Sequence, residues 1–191
     1  MSDKNFDVVV YGATGFTGKL VVEYMLNQYG NDESITWAMA GRSHEKLIAV
    51  RDALGVSHDV ALLTVDSNDE PSITEMVKQT KCVLTTVGPY QLYGPSIVKQ
   101  CAANGTDYVD LCGEPGWMHK IIGECSDDAK KSGSRIIFSC GFDSIPFDLG
   151  VLFAQDETMS RYNKYASSVR GRVRGMNGDC LLYTSPSPRD S

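Results

Sequence analysis

Short apolar runs alternate with longer amphipathic stretches along this chain, regularly to about residue 154. Residues 6–11 (Phe-Asp-Val-Val-Val-Tyr) are apolar almost throughout, as a strand buried on both faces of a parallel sheet requires. Residues 35–40, 61–65, 81–87, 107–111 and 135–139 repeat that texture and are predicted as five further strands. Helical segments are expected between them at 19–29, 45–54, from near Pro71, at 95–105 and at 117–131. In the first, Leu20, Val21, Tyr24, Met25 and Leu26 are expected to cover the sheet; Ile73, Met76 and Val77 do the same in the third. Gly55 and Gly105 fall where a left-handed residue closes a helix, and Pro95 falls in a predicted first turn. Strict alternation of strand and helix predicts an α/β fold with a doubly wound, mostly parallel sheet.

The pattern changes past residue 154. Polar residues dominate until 168–175 (Ser-Val-Arg-Gly-Arg-Val-Arg-Gly), whose alternation predicts a strand entering another sheet. The expected organisation is a nucleotide-binding domain over 1–160, then a linker and the first strand of a second α+β domain over 161–179. Residues 180–191 resemble the conceptual translation of a sequencing-library adapter, with a Ser-Pro repeat that suits neither helix nor strand. On this reading the natural C-terminus and most of the second domain are missing, and the chain itself is expected to be inactive.

The first strand runs directly into Gly12-Ala13-Thr14-Gly15-Phe16-Thr17-Gly18, three glycines spaced three apart, and then into a helix. A dinucleotide lays its pyrophosphate on such a helix N-terminus, where unpaired N–H groups and the positive dipole end face the anion. Gly12 permits the sharp turn, Gly15 removes the Cβ that would hold the phosphates off, and Gly18 lets helix and sheet pack closely. A triphosphate P-loop is the near alternative. It fails at Leu20, where a Ser or Thr hydroxyl is needed to hold magnesium.

The second strand ends in Gly41-Arg42-Ser43 rather than in the acid that binds the ribose hydroxyls of NAD. Arg42 and Ser43 suit the 2′-phosphate of NADP, the guanidinium by its planar fork of donors and permanent charge. Otherwise Arg42 is a solvated loop residue and Ser43 a helix cap. Asp66, ending the third strand, is placed to accept from an adenine amino group or to cap the next helix. After the fourth strand, Val87, Gly88 and Pro89 join the cofactor set, and Tyr90 and Tyr93 are positioned to line a nicotinamide pocket. Tyr90, Glu114 and Asp143 follow strands four to six and are the candidates to orient a substrate or move a proton. None is singled out as a general acid.

Composition narrows the partners. The 191 residues carry a net charge of −6, which argues against a nucleic-acid surface. No apolar run approaches the roughly 20 residues of a membrane span, and no signal peptide opens the chain, so a cytoplasmic protein is expected. The 6 cysteines form no CxxC pair, which favours free thiols over disulfides or a metal site.

Together, Gly12–Gly18, Ala40-Gly41-Arg42, Val87-Gly88-Pro89-Tyr90 with Tyr93-Gly94, Tyr108-Val-Asp110-Leu-Cys-Gly113-Glu114 and Gly141-Phe142-Asp143-Ser144-Ile-Pro146 carry a specific resemblance. Over residues 5 to about 175 the chain resembles the NADP-binding domain of saccharopine dehydrogenase-like oxidoreductases. It looks closest to the branch with the animal saccharopine dehydrogenase-like protein and the bacterial trans-acting enoyl reductases of glycolipid synthesis. The resemblance implies a Rossmann domain, NADP as cofactor, a small-molecule substrate that is either a lipid-type enoyl double bond or a saccharopine-type imine, and a second domain completing the substrate site. Because a fold and a cofactor site do not establish chemistry, a non-catalytic NADP sensor or lipid-droplet-associated scaffold is the alternative, and the resemblance implies a droplet or membrane as its place. A short-chain dehydrogenase needs Tyr with Lys four residues on, and no tyrosine here has that partner.

Overall fold

The computed structural model describes residues 4–30, 32 and 34–175. Strands and helices alternate as β1 (Phe6–Tyr11), α1 (Phe16–Tyr29), β2 (Trp37–Gly41), α2 (His44–Leu54), β3 (Ala61–Thr64), α3 (Glu70–Gln79), β4 (Thr80–Thr85), α4 (Tyr90–Asn104), β5 (Asp107–Asp110), α5 (Pro115–Ser132), β6 (Ile136–Ile137) and α6 (Ile145–Tyr162). The strands form one sheet in the order β3-β2-β1-β4-β5-β6, with every pairing parallel. This is the doubly wound Rossmann arrangement, in which strand order reverses between β1 and β4.

Alternate residues of the central strands build two cores, because successive side chains point to opposite faces. Val9, Ala38 and Val83 face one side, with Ile73, Met76 and Val77 of α3, Ile97 and Val98 of α4, and Ile121 of α5. Val10 and Met39 face the other, with Val22 and Met25 of α1 and Leu47 and Val50 of α2. In α1 the buried positions are Gly18, Val22 and Met25, while Leu20 and Tyr24 are exposed, contrary to expectation. The contact of Gly18 with the turn before it sets the helix rotation. Positions four and seven residues on then face inward, and 20 and 24 turn away.

Two further expectations change. The fourth helix begins at Tyr90, not Pro95, which lies inside it. A carboxylate distant in sequence supplies its start, as described below. The strand expected over 168–175 does not form, and residues 163–175 have no helix or strand. Alternating Val and Arg make a strand only beside a hydrogen-bonding neighbour, and no described strand pairs with them. The chain divides into a unit ending at Ile145 and a second unit from Pro146. Within the second, the Gln155 side chain donates to the carbonyl oxygen of Ala166 (3.1 Å) and accepts from its N–H (2.8 Å). The adapter-like residues 180–191 lie outside the described residues.

Candidate functional site

A groove of about 210 Å³ opens at the carboxyl edge of the sheet, at the reversal between β1 and β4. Open α/β sheets place their ligands there. Its floor is the β1–α1 turn: Tyr11, Gly12, Thr14 and Gly15. Gly41 at the end of β2, Arg42 just past it and Ser67 after β3 form one end; Thr86, Val87, Gly88 and Tyr93 form the other.

The turn is held from both neighbouring strands. Gly12 has φ +91° and donates its N–H to the Ala40 carbonyl at 2.9 Å. Its own carbonyl accepts from Gly15 N–H at 2.9 Å and from the Thr86 hydroxyl at 3.3 Å. A Cβ on Gly18 would stand 2.0 Å from the Gly12 oxygen, so helix and turn touch without a side chain between them. A Cβ on Gly15 would meet protein only at 3.4 Å, the same Gly12 oxygen, and the space above is open. Gly15 is also the N-cap of α1, with no side-chain cap and no acidic residue in the first turn. The positive end of the α1 dipole therefore faces the groove with no acidic residue of its own first turn to neutralise it.

The N-terminus of α4 contrasts with this. Both carboxylate oxygens of Glu114 accept from it, Oε1 from Tyr90 N–H and Oε2 from Gln91 N–H, each at 2.8 Å. Of the two helix starts after β1 and β4, only that of α1 is left for an external anion.

Arg42 is exposed and makes no ion pair among the described residues. Beside it the Tyr11 phenol is pushed up to about 12, mainly by burial; a hydrogen bond with Ser67 opposes this, the Asp66 charge adds to it and the Arg42 charge opposes it. Ser43 accepts from Lys46 N–H at 3.3 Å as the N-cap of α2. Asp66 does not cap α3, whose N-cap is Asp69. Its Oδ1 instead accepts from Asn68 N–H at 2.9 Å, closing a local turn.

Of the three candidates for substrate chemistry, Tyr90 and Glu114 meet, but through the backbone N–H of Tyr90 and not its phenol. Tyr90 is buried, its ring centroid 6.0 Å from that of Trp117, and its hydroxyl donates to the Thr85 carbonyl at 3.4 Å. Burial pushes its phenol well above the ordinary range, with the Asp110 charge adding to this. The Glu114 carboxylate is engaged by α4, and Asp143 is exposed in the turn before α6. Sequence reasoning passed over the buried carboxylate that organises these loops. Asp110 Oδ1 accepts from Cys112 N–H (3.0 Å) and Ser139 N–H (2.8 Å), and Oδ2 from the Tyr108 hydroxyl (2.8 Å). Burial raises its pKa, opposed by these three donors. Ser139 has φ +59°, uncommon for a residue with a side chain, and its hydroxyl donates to the Cys112 carbonyl at 2.6 Å.

Residues 8–137 match the family described as saccharopine dehydrogenase NADP binding domain. The chain belongs to this family. Among relatives of the saccharopine dehydrogenase family chain, a lipid droplet localized protein of Caenorhabditis elegans is 43% identical over 86% of this chain and 40% of its own length. A trans-acting enoyl reductase of Mycobacterium ulcerans is 42% identical over 78% of this chain and 35% of its own. The chain thus spans two fifths or less of the length of these curated relatives. Saccharopine dehydrogenase (L-Glu forming) from Saccharomyces cerevisiae, in its apo form, shares the fold with a TM-score of 0.64 and 19% identity, over 81% of this chain and 32% of that one.

Of the cofactor residues expected from sequence, Gly12, Thr14, Gly15, Arg42, Val87 and Gly88 line the groove. Ala13 and Gly18 are buried beneath it, and Phe16 and Thr17 form the first turn of α1. Ser43, Asp66 and Pro89 are not among its lining residues. Tyr11, Gly41, Ser67 and Thr86 line the groove without having been in the expected set. Each adjoins a residue that was read, at the end of β1, before Arg42, after Asp66 and before Val87, and position at a strand's carboxyl end was the signal available.

Proposed function

We propose that this chain is the cofactor-binding domain of an NADP-dependent oxidoreductase. The observation that carries the reading is the uncapped N-terminus of α1 beneath open space at Gly15, with Arg42 at one end of the same groove. A diphosphate fits the first feature and a 2′-phosphate the second, since both are anions that seek backbone N–H groups or a guanidinium. Gly12, Thr14 and Gly15 would hold the diphosphate, Arg42 and Ser67 the adenosine end, and Thr86, Val87, Gly88 and Tyr93 would border the nicotinamide. Bound there, the nicotinamide supplies hydride. Titration of the 191-residue chain should show NADPH binding more tightly than NADH; failure to bind either nucleotide would sink the reading.

The reaction we infer is reduction of a lipid-type enoyl substrate. Similarity to a protein named as a trans-acting enoyl reductase supports this. We further infer that another domain completes the substrate pocket, a reading that the length of the relatives, more than twice that of this chain, supports, and that the chain binds cofactor without turnover. Asp143 is the remaining exposed candidate for orienting substrate in the longer protein. A second reading, an NADP-binding scaffold on lipid droplets, has the lipid droplet localized relative in its favour. No helix among the described residues is long and apolar enough to cross a membrane. Hydride transfer to enoyl substrates by the longer protein favours the reductase; nucleotide binding and droplet association without turnover favour the scaffold.

A further inference from the structure

The loops after β4, β5 and β6 are tied into one assembly by two carboxylates, Asp110 and Glu114, four residues apart. Asp110 gathers the loop after β5 to the loop after β6 through Cys112 N–H and Ser139 N–H, and its carbonyl accepts from Cys140 N–H at 2.6 Å. Glu114 then reaches the loop after β4, gripping Tyr90 and Gln91 N–H with both oxygens at 2.8 Å. Separated from those two residues by Pro89 alone lie Val87 and Gly88, which line the groove at the end away from Arg42. Glu114 is itself the N-cap of α5, yet its side chain caps α4 rather than its own helix. A capping residue that forgoes its own helix to hold a neighbouring loop points to a role at the loop.

We infer that Glu114 is a positioning residue for the nicotinamide half of the cofactor, acting through the 86–91 loop and not as a proton donor or acceptor. The inference rests on the NADP reading. Each of its two oxygens accepts from a backbone donor, so protonation would put one of those bonds at risk, and a neutral amide cannot accept at both. On that reading the adenosine half would be held elsewhere, at Arg42 and Ser67 of the same groove. Glu114 should therefore affect one half of the ligand and not the other.

The test is a split between two ligands of the 191-residue chain: NADPH, and adenosine 2′,5′-bisphosphate, which keeps the adenine and 2′-phosphate but lacks the nicotinamide. Glu114→Gln should weaken NADPH about tenfold, the effect of losing one charge-assisted hydrogen bond, while adenosine 2′,5′-bisphosphate binds as in the parent. Equal affinities of parent and variant for both ligands, or equal weakening of both, would overturn the inference. If Glu114→Gln does not fold, Glu114→Asp, which keeps the charge but shortens its reach, decides by the same split. A parent chain that binds neither ligand overturns the cofactor reading, and this inference with it; a parent that binds both with no split in the variant overturns the inference alone.

Discussion

Gly18 lies against Gly12 so closely that a Cβ on residue 18 would stand 2.0 Å from the Gly12 carbonyl oxygen. The obstructing atom is backbone in a turn held by Ala40 and Thr86, so it cannot move aside without loosening β1 from its neighbours. Gly18→Ala should therefore destabilise the domain by about 2–3 kcal/mol, as overpacking does. Gly15→Val should leave the melting temperature near that of the parent and abolish NADPH binding, because its side chain fills ligand space and not protein space. Thermal melts paired with nucleotide titration check both. A destabilised Gly15→Val would show that the space above residue 15 belongs to the fold.

Arg42 supplies the second prediction. With no anion paired to it among the described residues, its guanidinium is available to a 2′-phosphate, and Arg42→Ala should remove most of the preference for NADPH over NADH. The expected loss is about 1.5–3 kcal/mol of NADPH binding, the range for a charge-assisted contact. Affinity for NADH should change little. Equal binding of the two nucleotides by the parent would remove the assignment.

Asp110 allows a test of stability. Asp110→Ala would leave two backbone N–H groups and a phenol without their acceptor and should cost about 2–4 kcal/mol. Asp110→Asn keeps an oxygen for Cys112 and Ser139 and offers an N–H to the Tyr108 hydroxyl, so it should cost about 1 kcal/mol or less. The sign with pH follows from the raised pKa of the buried carboxyl. Between the unfolded value of about 3.9 and the higher folded value, the unfolded chain releases the proton first and parent stability falls as pH rises. Asp110→Asn has no such decline, so its stability relative to the parent should improve across that window in urea unfolding.

Asp7 should behave in the opposite sense. Its carboxyl is held down to about 2, first by the hydrogen bond from Lys81 and then by the N–H and hydroxyl of Thr36. The stability it contributes is present above the unfolded value of about 3.9 and is lost as pH falls toward about 2. Lys81→Met should cost less than about 1 kcal/mol near neutrality, as for an exposed pair. The gap between parent and variant should close on acidification. A gap independent of pH would mean that the ion pair contributes nothing.

The order and type of every element through β6 were legible in the sequence, because parallel strands buried on both faces read as unbroken apolar runs and Gly55 and Gly105 end helices with local chemistry. Features fixed at a distance were not. The start of α4 depends on Glu114, 24 residues from Tyr90, and no local pattern reports it. The outward turn of Leu20 and Tyr24 depends on a backbone contact at Gly18 that hydrophobic periodicity does not encode. In the site, the glycine turn and Arg42 announced themselves through spacing and charge. That the Glu114 carboxylate accepts from the start of α4 was not legible, because sequence gives its chemistry but not its partners.

The tie between α4 and α5 bears on how this half of the molecule opens. The helices lie side by side, joined at their starts by Glu114, midway by Lys99 and Glu124 at 2.8 Å, and at their ends by the Ser132 hydroxyl on the Ala102 carbonyl at 2.5 Å. Releasing α5 from the sheet would uncap α4 at the same moment, so neither should exchange its amide hydrogens with solvent alone. Hydrogen exchange should report one cooperative unit running from Tyr90 to Ser132.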